Sequence, residues 1–100
     1  MSGPLVSTVG DDPDMADLVD EYVAVLADRM REIRGAVMAE DRRRVEFLAH
    51  QIAGSAGSYG FDPIGEAARR VERAASKGSD VSLFAAVSDL AELCAQARAR

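Results

Sequence analysis

The run DLVDEYVAVLADRMREIRGAV, Asp17 to Val37, decides the architecture. Within it Val19, Val23, Leu26, Met30, Ile33 and Val37 recur at intervals of 4, 3, 4, 3 and 4. At 3.6 residues per turn this places all six on one stripe and leaves most of the charged residues on the rest of the cylinder, the pattern of a helix lying along a bundle. Just upstream, Asp11, Asp12 and Asp14 surround Pro13. Acidic side chains suit a helix amino terminus and Pro is tolerated in a first turn, so a helix-start role for these acids outweighs a metal-binding one. Before them, Gly3, Pro4 and Gly10 lie among small polar residues, and residues 1–13 predict a short flexible N-terminal tail.

Three further seams follow. Asp41 is placed to cap a second helix whose apolar positions Val45, Leu48, Ile52, Ala56 and Tyr59 keep the same rhythm as far as about Tyr59. Asp62 as cap and Pro63 in the first turn open a third, with Ile64, Ala67, Val71 and Ala74 or Ala75 facing inward. Lys77 and Gly78 end it, Ser79 and Asp80 begin a fourth, and Leu83, Val87, Leu90, Cys94 and Ala97 form its seam. Tyr22, Met30, Met38 and Cys94 also sit at helical spacing and are expected in the core or at its edge. No window alternates with period two and no internal repeat exists, so a sheet has no support. Short connections make successive helices antiparallel. The expected fold is all-α, an antiparallel up-and-down four-helix bundle over residues 14–100.

Composition narrows the function. One hundred residues make one domain, and 48% apolar with 29% charged residues exclude a disordered chain. One Cys and one His can form neither an internal disulfide nor a Cys/His zinc site, so no metal is expected on this chain and the cytoplasm is the default compartment. The longest stretch without a formal charge, Phe47–Phe61, is too short to span a bilayer, and no basic segment with a long apolar run opens the chain. A net charge of −5, from 12 basic and 17 acidic residues, argues against nucleic acid as partner.

The segment AHQIAGSAGSYGF, Ala49 to Phe61, breaks the pattern of its own helix. Gly54 and Gly57 each cost about 1 kcal/mol relative to Ala in a helix interior. At about 100° per residue His50 lies opposite the centre of the Val45–Tyr59 seam. Arg43, Glu46, Phe47, Ala53, Gly54, Gly57 and, if the helix continues so far, Phe61 lie on its side. Ala53, Gly54 and Gly57 are the positions three, four and seven beyond it, the neighbours of a helix-surface residue. An imidazole in such a clearing can enter another protein's concave site, with Phe47 and Phe61 adding apolar contact. A neutral ring nitrogen is nucleophilic near pH 7 and can carry a group covalently. Gly54, Gly57 and Gly60 could instead serve close helix packing. A phosphate-cradling loop would need a preceding strand and a Lys, both missing. A small hydrolase with His50 as base has no paired nucleophile at a suitable spacing.

Residues His50-Gln51-Ile52-Ala53-Gly54-Ser55-Ala56-Gly57-Ser58-Tyr59-Gly60 resemble the signature of histidine-containing phosphotransfer (HPt) domains: His, any residue, Leu, often Lys, Gly, then small residues and a further Gly. Ile64, Ala67, Ala68 and Val71-Glu72 resemble the family's third-helix continuation, where Leu-Glu is common. The chain departs at Ala53, where many members carry Lys and others Ala, and at Ile52 in place of Leu. The resemblance implies that His50 is phosphorylated and relays the phosphoryl group between receiver-domain aspartates, or from a hybrid histidine kinase, without kinase activity of its own. It implies no bound cofactor, Mg²⁺ and a Lys supplied by the receiver, and docking through the His50 face. Arg43, on that face, is either a source of the charge missing at position 53 or, with Arg42 and Arg44, part of a solvated first-turn cluster. A monomer is expected, since four helices need no second chain. The alternative is a helical interaction module that uses the Gly-lined face without phosphotransfer.

Overall fold

The computed structural model describes residues 3–100 and contains four α-helices in chain order: α1 Pro13–Met38, α2 Arg42–Ser55, α3 Asp62–Lys77 and α4 Asp80–Gln96. They form the antiparallel four-helix bundle read from the seams. Helix α1 has 26 residues, about 39 Å at 1.5 Å per residue, and sets the 41 Å long axis of the molecule. Asp12 caps it by accepting from the Asp14 N–H, and Pro13 takes the first helical position. Asp41 caps α2 through the Arg44 N–H, and Ser79 caps α4 through the Ser82 N–H.

Two connections reverse the chain through left-handed residues. After α1, Glu40 takes a φ of 57°, and the N–H groups of Glu40 and Asp41 donate to Val37 O and Ala36 O, closing the last turn. After Ser55 the α-helix tightens into a 3₁₀ turn, Ala56–Tyr59, and Gly60 with a φ of 81° ends it. The Phe61 N–H then donates to Ala56 O at 3.0 Å. This reversal swings Phe61 into the core and makes it the residue preceding α3. Asp62 therefore lies inside the first turn of α3 and does not cap it, a correction to the expectation from the Asp-Pro pair.

Most seam positions are inside: Val19, Leu26, Met30, Ile33, Val45, Leu48, Ile52, Ile64, Val71, Leu83, Val87, Leu90 and Cys94 are buried, Val23, Val37 and Tyr59 are half-buried against them, and Ala97 is buried just beyond the end of α4. Many of the remaining buried positions are alanines, among them Ala49, Ala56, Ala67, Ala68 and Ala75, so the helices approach closely. Tyr22 stacks on Tyr59 with ring centroids 4.1 Å apart, and its hydroxyl bonds the Ser55 hydroxyl at 2.6 Å, tying α1 to the end of α2. Met38 is 85% exposed, which corrects its placement in the core: it is the last residue of α1 and points past the end of the seam.

The N-terminal segment is also corrected. Residues 1–2 lie outside the described residues, but from Leu5 to Gly10 the chain is bound to the bundle and is not a free tail. Leu5–Val6 (β1) pairs in parallel with Ala97–Arg98 (β2), Leu5 opposite Ala97 and Val6 opposite Arg98. Ser7 is buried, its N–H donating to Arg98 O at 2.8 Å and its hydroxyl to Tyr59 O at 2.6 Å, while the Thr8 N–H donates to Gly60 O at 3.0 Å. Backbone hydrogen bonds at both edges satisfy the strap's polar groups and hold it in place. Among the described residues no helix is long and apolar enough to cross a membrane.

Candidate functional site

His50 projects from the outer side of α2, with its side chain 73% exposed. Its Nδ1 lies 2.9 Å from Oε2 of Glu72 on α3. A carboxylate only accepts, so the proton in this contact belongs to Nδ1, and in the neutral ring Nε2 carries the lone pair. No protein group among the described residues engages Nε2. The ring is thus held by one nitrogen and offers the other to solvent.

The meeting of His50 with Glu72 follows from how α2 and α3 pack. A Cβ on Gly65 would stand 3.7 Å from Ala53 O and 3.7 Å from the Ala56 methyl, ordinary contact for small residues. With Ala53 beside Gly65 and the helices antiparallel, an earlier residue of α2 meets a later one of α3. His50 therefore reaches Glu72, seven residues or about two turns beyond Gly65 on the same face. Arg69 and Arg73 flank Glu72 on that face. Together His50, Ala53, Gly54, Arg69, Glu72 and Arg73 line an open groove of about 390 Å³.

The residues predicted for this face separate into two groups. Ala53 and Gly54 line the groove beside His50, and a Cβ at Gly54 would meet nothing within 4 Å. Gly54 is therefore not a helix-packing glycine: its missing side chain leaves open space next to the ring. Gly57 is exposed, although a Cβ there would stand 3.2 Å from the Asp62 carboxylate. Glu46, half-buried, and Phe47, 53% exposed, lie one turn before His50, and the Arg44 guanidinium sits 5.9 Å from the Phe47 ring centroid. Phe61 does not belong to the face. It is fully buried, because the left-handed turn at Gly60 redirects the chain before a continued helix could carry Phe61 outward. Arg43 is exposed but does not line the groove.

The sequence reading missed Glu72, Arg69 and Arg73 as members of the site. Their spacing of 3 and 4 on the predicted third helix was a usable signal, but the register of α3 against α2 was needed to aim it at His50. Gly60 proves structural: it holds a positive φ, and a Cβ there would stand 2.6 Å from Thr8 N and collide with the Ser7 hydroxyl. Among the described residues no three His, Cys, Asp or Glu side chains gather as a metal site. Cys94, alone and buried, has its thiol pushed up to about 12 by that burial, which keeps it neutral and unreactive.

The arrangement supplies an exposed imidazole held through one nitrogen, a carboxylate placed to balance positive charge on the ring, and two guanidinium groups lining the same groove. A family model described as Hpt domain matches residues 17–100. Comparison with curated proteins and with solved structures gives no match.

Proposed function

The chain belongs to the Hpt domain family, and from that premise we propose that His50 Nε2 is the phosphoacceptor of a cytoplasmic phosphorelay. Membership carries the general role, histidine phosphotransfer; the acceptor atom, its partners and its compartment are our reading. The contact between His50 Nδ1 and Glu72 Oε2 supports it most directly, because it selects the nucleophilic nitrogen.

The transfer balances without a base. The Nε2 lone pair forms the N–P bond as the P–O bond to a receiver's aspartyl carboxylate breaks, and the electron pair leaves with that carboxylate. Nδ1 keeps its proton, so the ring becomes a cation, and the Glu72 carboxylate opposes that charge. In the second transfer a carboxylate of the next receiver attacks phosphorus and the N–P pair returns to Nε2. The bundle itself holds the imidazole in position and exposes it. The receiver brings Mg²⁺ and a Lys to neutralise the moving group, and docks over the clearing at Ala53 and Gly54 with Phe47 at its rim. A histidine kinase, hybrid or separate, stands upstream.

The test is incubation with a phosphorylated receiver domain, followed by intact mass under neutral and acidic conditions. One phosphoryl group should be gained, lost in acid, and absent from His50→Gln. Glu72→Gln should still be labelled, but about tenfold more slowly, since it keeps a hydrogen-bond partner and loses the charge. Binding of receivers by wild type and His50→Gln alike, with no label on either, would favour the interaction-module alternative.

A further inference from the structure

Ala53 leaves the α2 side of the groove without charge. The α3 side differs. Arg69 and Arg73 both line the groove that His50 opens into, and neither has an ion-pair or hydrogen-bond partner among the described residues. Elsewhere Arg29, Arg31, Arg42 and Arg44 find carboxylates, while Arg34, Arg43 and Arg70, unpaired among the described residues like Arg69 and Arg73, lie outside this groove. The acid nearest to Arg69 and Arg73 in the groove, Glu72, gives its Oε2 to the imidazole instead. With a neutral ring the groove carries two positive charges and one negative, a local excess of cation on a chain of net charge −5.

We propose that Arg69 and Arg73 hold the phosphoryl oxygens of phospho-His50, supplying from α3 the positive charge that position 53 lacks. This rests on the reading of His50 as phosphoacceptor. His50, Arg69 and Arg73 line one groove, so a phosphoryl group on Nε2 would lie within the sweep of the two long side chains, whose guanidinium N–H groups form charge-assisted and frequently bidentate bonds to phosphate-type oxygens. The open volume of about 390 Å³ leaves room for the group and for long side chains to close over it. The division of labour is chemical: Glu72 opposes the cationic ring, and the two arginines oppose the anionic phosphoryl. Arg43 and Arg70, exposed on the neighbouring surface and outside the groove, have no part in it.

The experiment compares wild type with Arg69→Gln, Arg73→Gln, the double variant, the double Lys variant R69K/R73K, and Arg70→Gln as control. All of these positions are exposed, so the fold is retained, which circular dichroism checks. Each protein is offered phosphoramidate, a small donor that needs no docking surface, and separately a phosphorylated receiver. Labelling rate is read by intact mass, and the phosphoryl resonance is titrated against pH by ³¹P NMR. The double Gln variant should label about tenfold more slowly than wild type. Its phosphoryl group should also titrate about half a pH unit higher, a charge effect discounted for solvent. The Lys double should retain most of the effect, and Arg70→Gln should match wild type. A double Gln variant that labels and titrates like wild type overturns the role of the arginines and leaves His50 as acceptor. No label on wild-type His50 from either donor overturns that acceptor reading, and this inference with it.

Discussion

At the scale of single residues, Gly54 is a poor choice for its own helix and a good one for the ring beside it. It sits in the last turn of α2, where a Cβ would meet no atom within 4 Å. The fold therefore gains nothing from its being glycine, and Gly54→Ala should raise stability by about 0.5–1 kcal/mol, read as a higher urea midpoint at unchanged slope. A side chain four residues past His50 stands next to the imidazole, however, so the bulkier Gly54→Leu should slow transfer from a receiver by about tenfold or more. Stability and transfer should move in opposite directions, and a variant series in which both rise would remove the clearing from the mechanism. His50 was legible in the sequence because its small neighbours stand out within an otherwise ordinary helix. Glu72 was not, because it lies 22 positions away and reaches the ring only through the packing of Gly65 against Ala53 O.

At the scale of elements, the turn at Gly60 joins three features the sequence presents separately. Its positive φ ends the 3₁₀ turn, sends Phe61 inward against Tyr22 with ring centroids 6.4 Å apart, and leaves the space in which Ser7 and Thr8 cross. Any Cβ at position 60 meets both an unfavourable backbone conformation and the strap. Gly60→Ala should therefore cost at least about 2 kcal/mol, a fall in melting temperature of roughly 10 °C for a domain of this size. Thermal unfolding followed by circular dichroism measures it, and an unchanged midpoint would mean that the strap is not docked in solution. The four helices were legible because each repeats its apolar spacing over several turns. The strap was not: two-residue strands have no period to detect, and what holds the segment is pairing of β1 and the Ser7 N–H with β2, the Thr8 N–H on Gly60 O and the Ser7 hydroxyl on Tyr59 O. Gly and Pro describe the segment's conformational freedom and say nothing of its partners.

At the scale of the whole molecule, one alanine-rich core serves all four helices, so a change in any buried group is felt as global stability. Tyr22 and Cys94 bring titrating groups into that core. Burial raises both protons' affinities: the Tyr22 hydroxyl lies above its usual 10.0, with desolvation outweighing its hydrogen bond to Ser55, and the Cys94 thiol is pushed up from 9.0 to about 12. Below pH 9 both groups are protonated in folded and unfolded chains alike, and their contribution is fully present. Above pH 9 the unfolded chain releases the Cys94 proton while the folded chain keeps it, so the folded state binds more protons and stability must fall as pH rises toward 12. Tyr22 adds to the fall from about pH 10 upward. Urea midpoints measured between pH 8 and pH 10.5 should decline, and Cys94→Ala should flatten the part of the decline that begins near pH 9. A wild-type midpoint that stays level across that range would place the thiol in contact with water and out of the core. His50 and Glu72 lie at the surface on the outer side of α2 and α3, so phosphotransfer by the fraction still folded should persist through this alkaline loss. Activity should then track the folded population measured at the same pH.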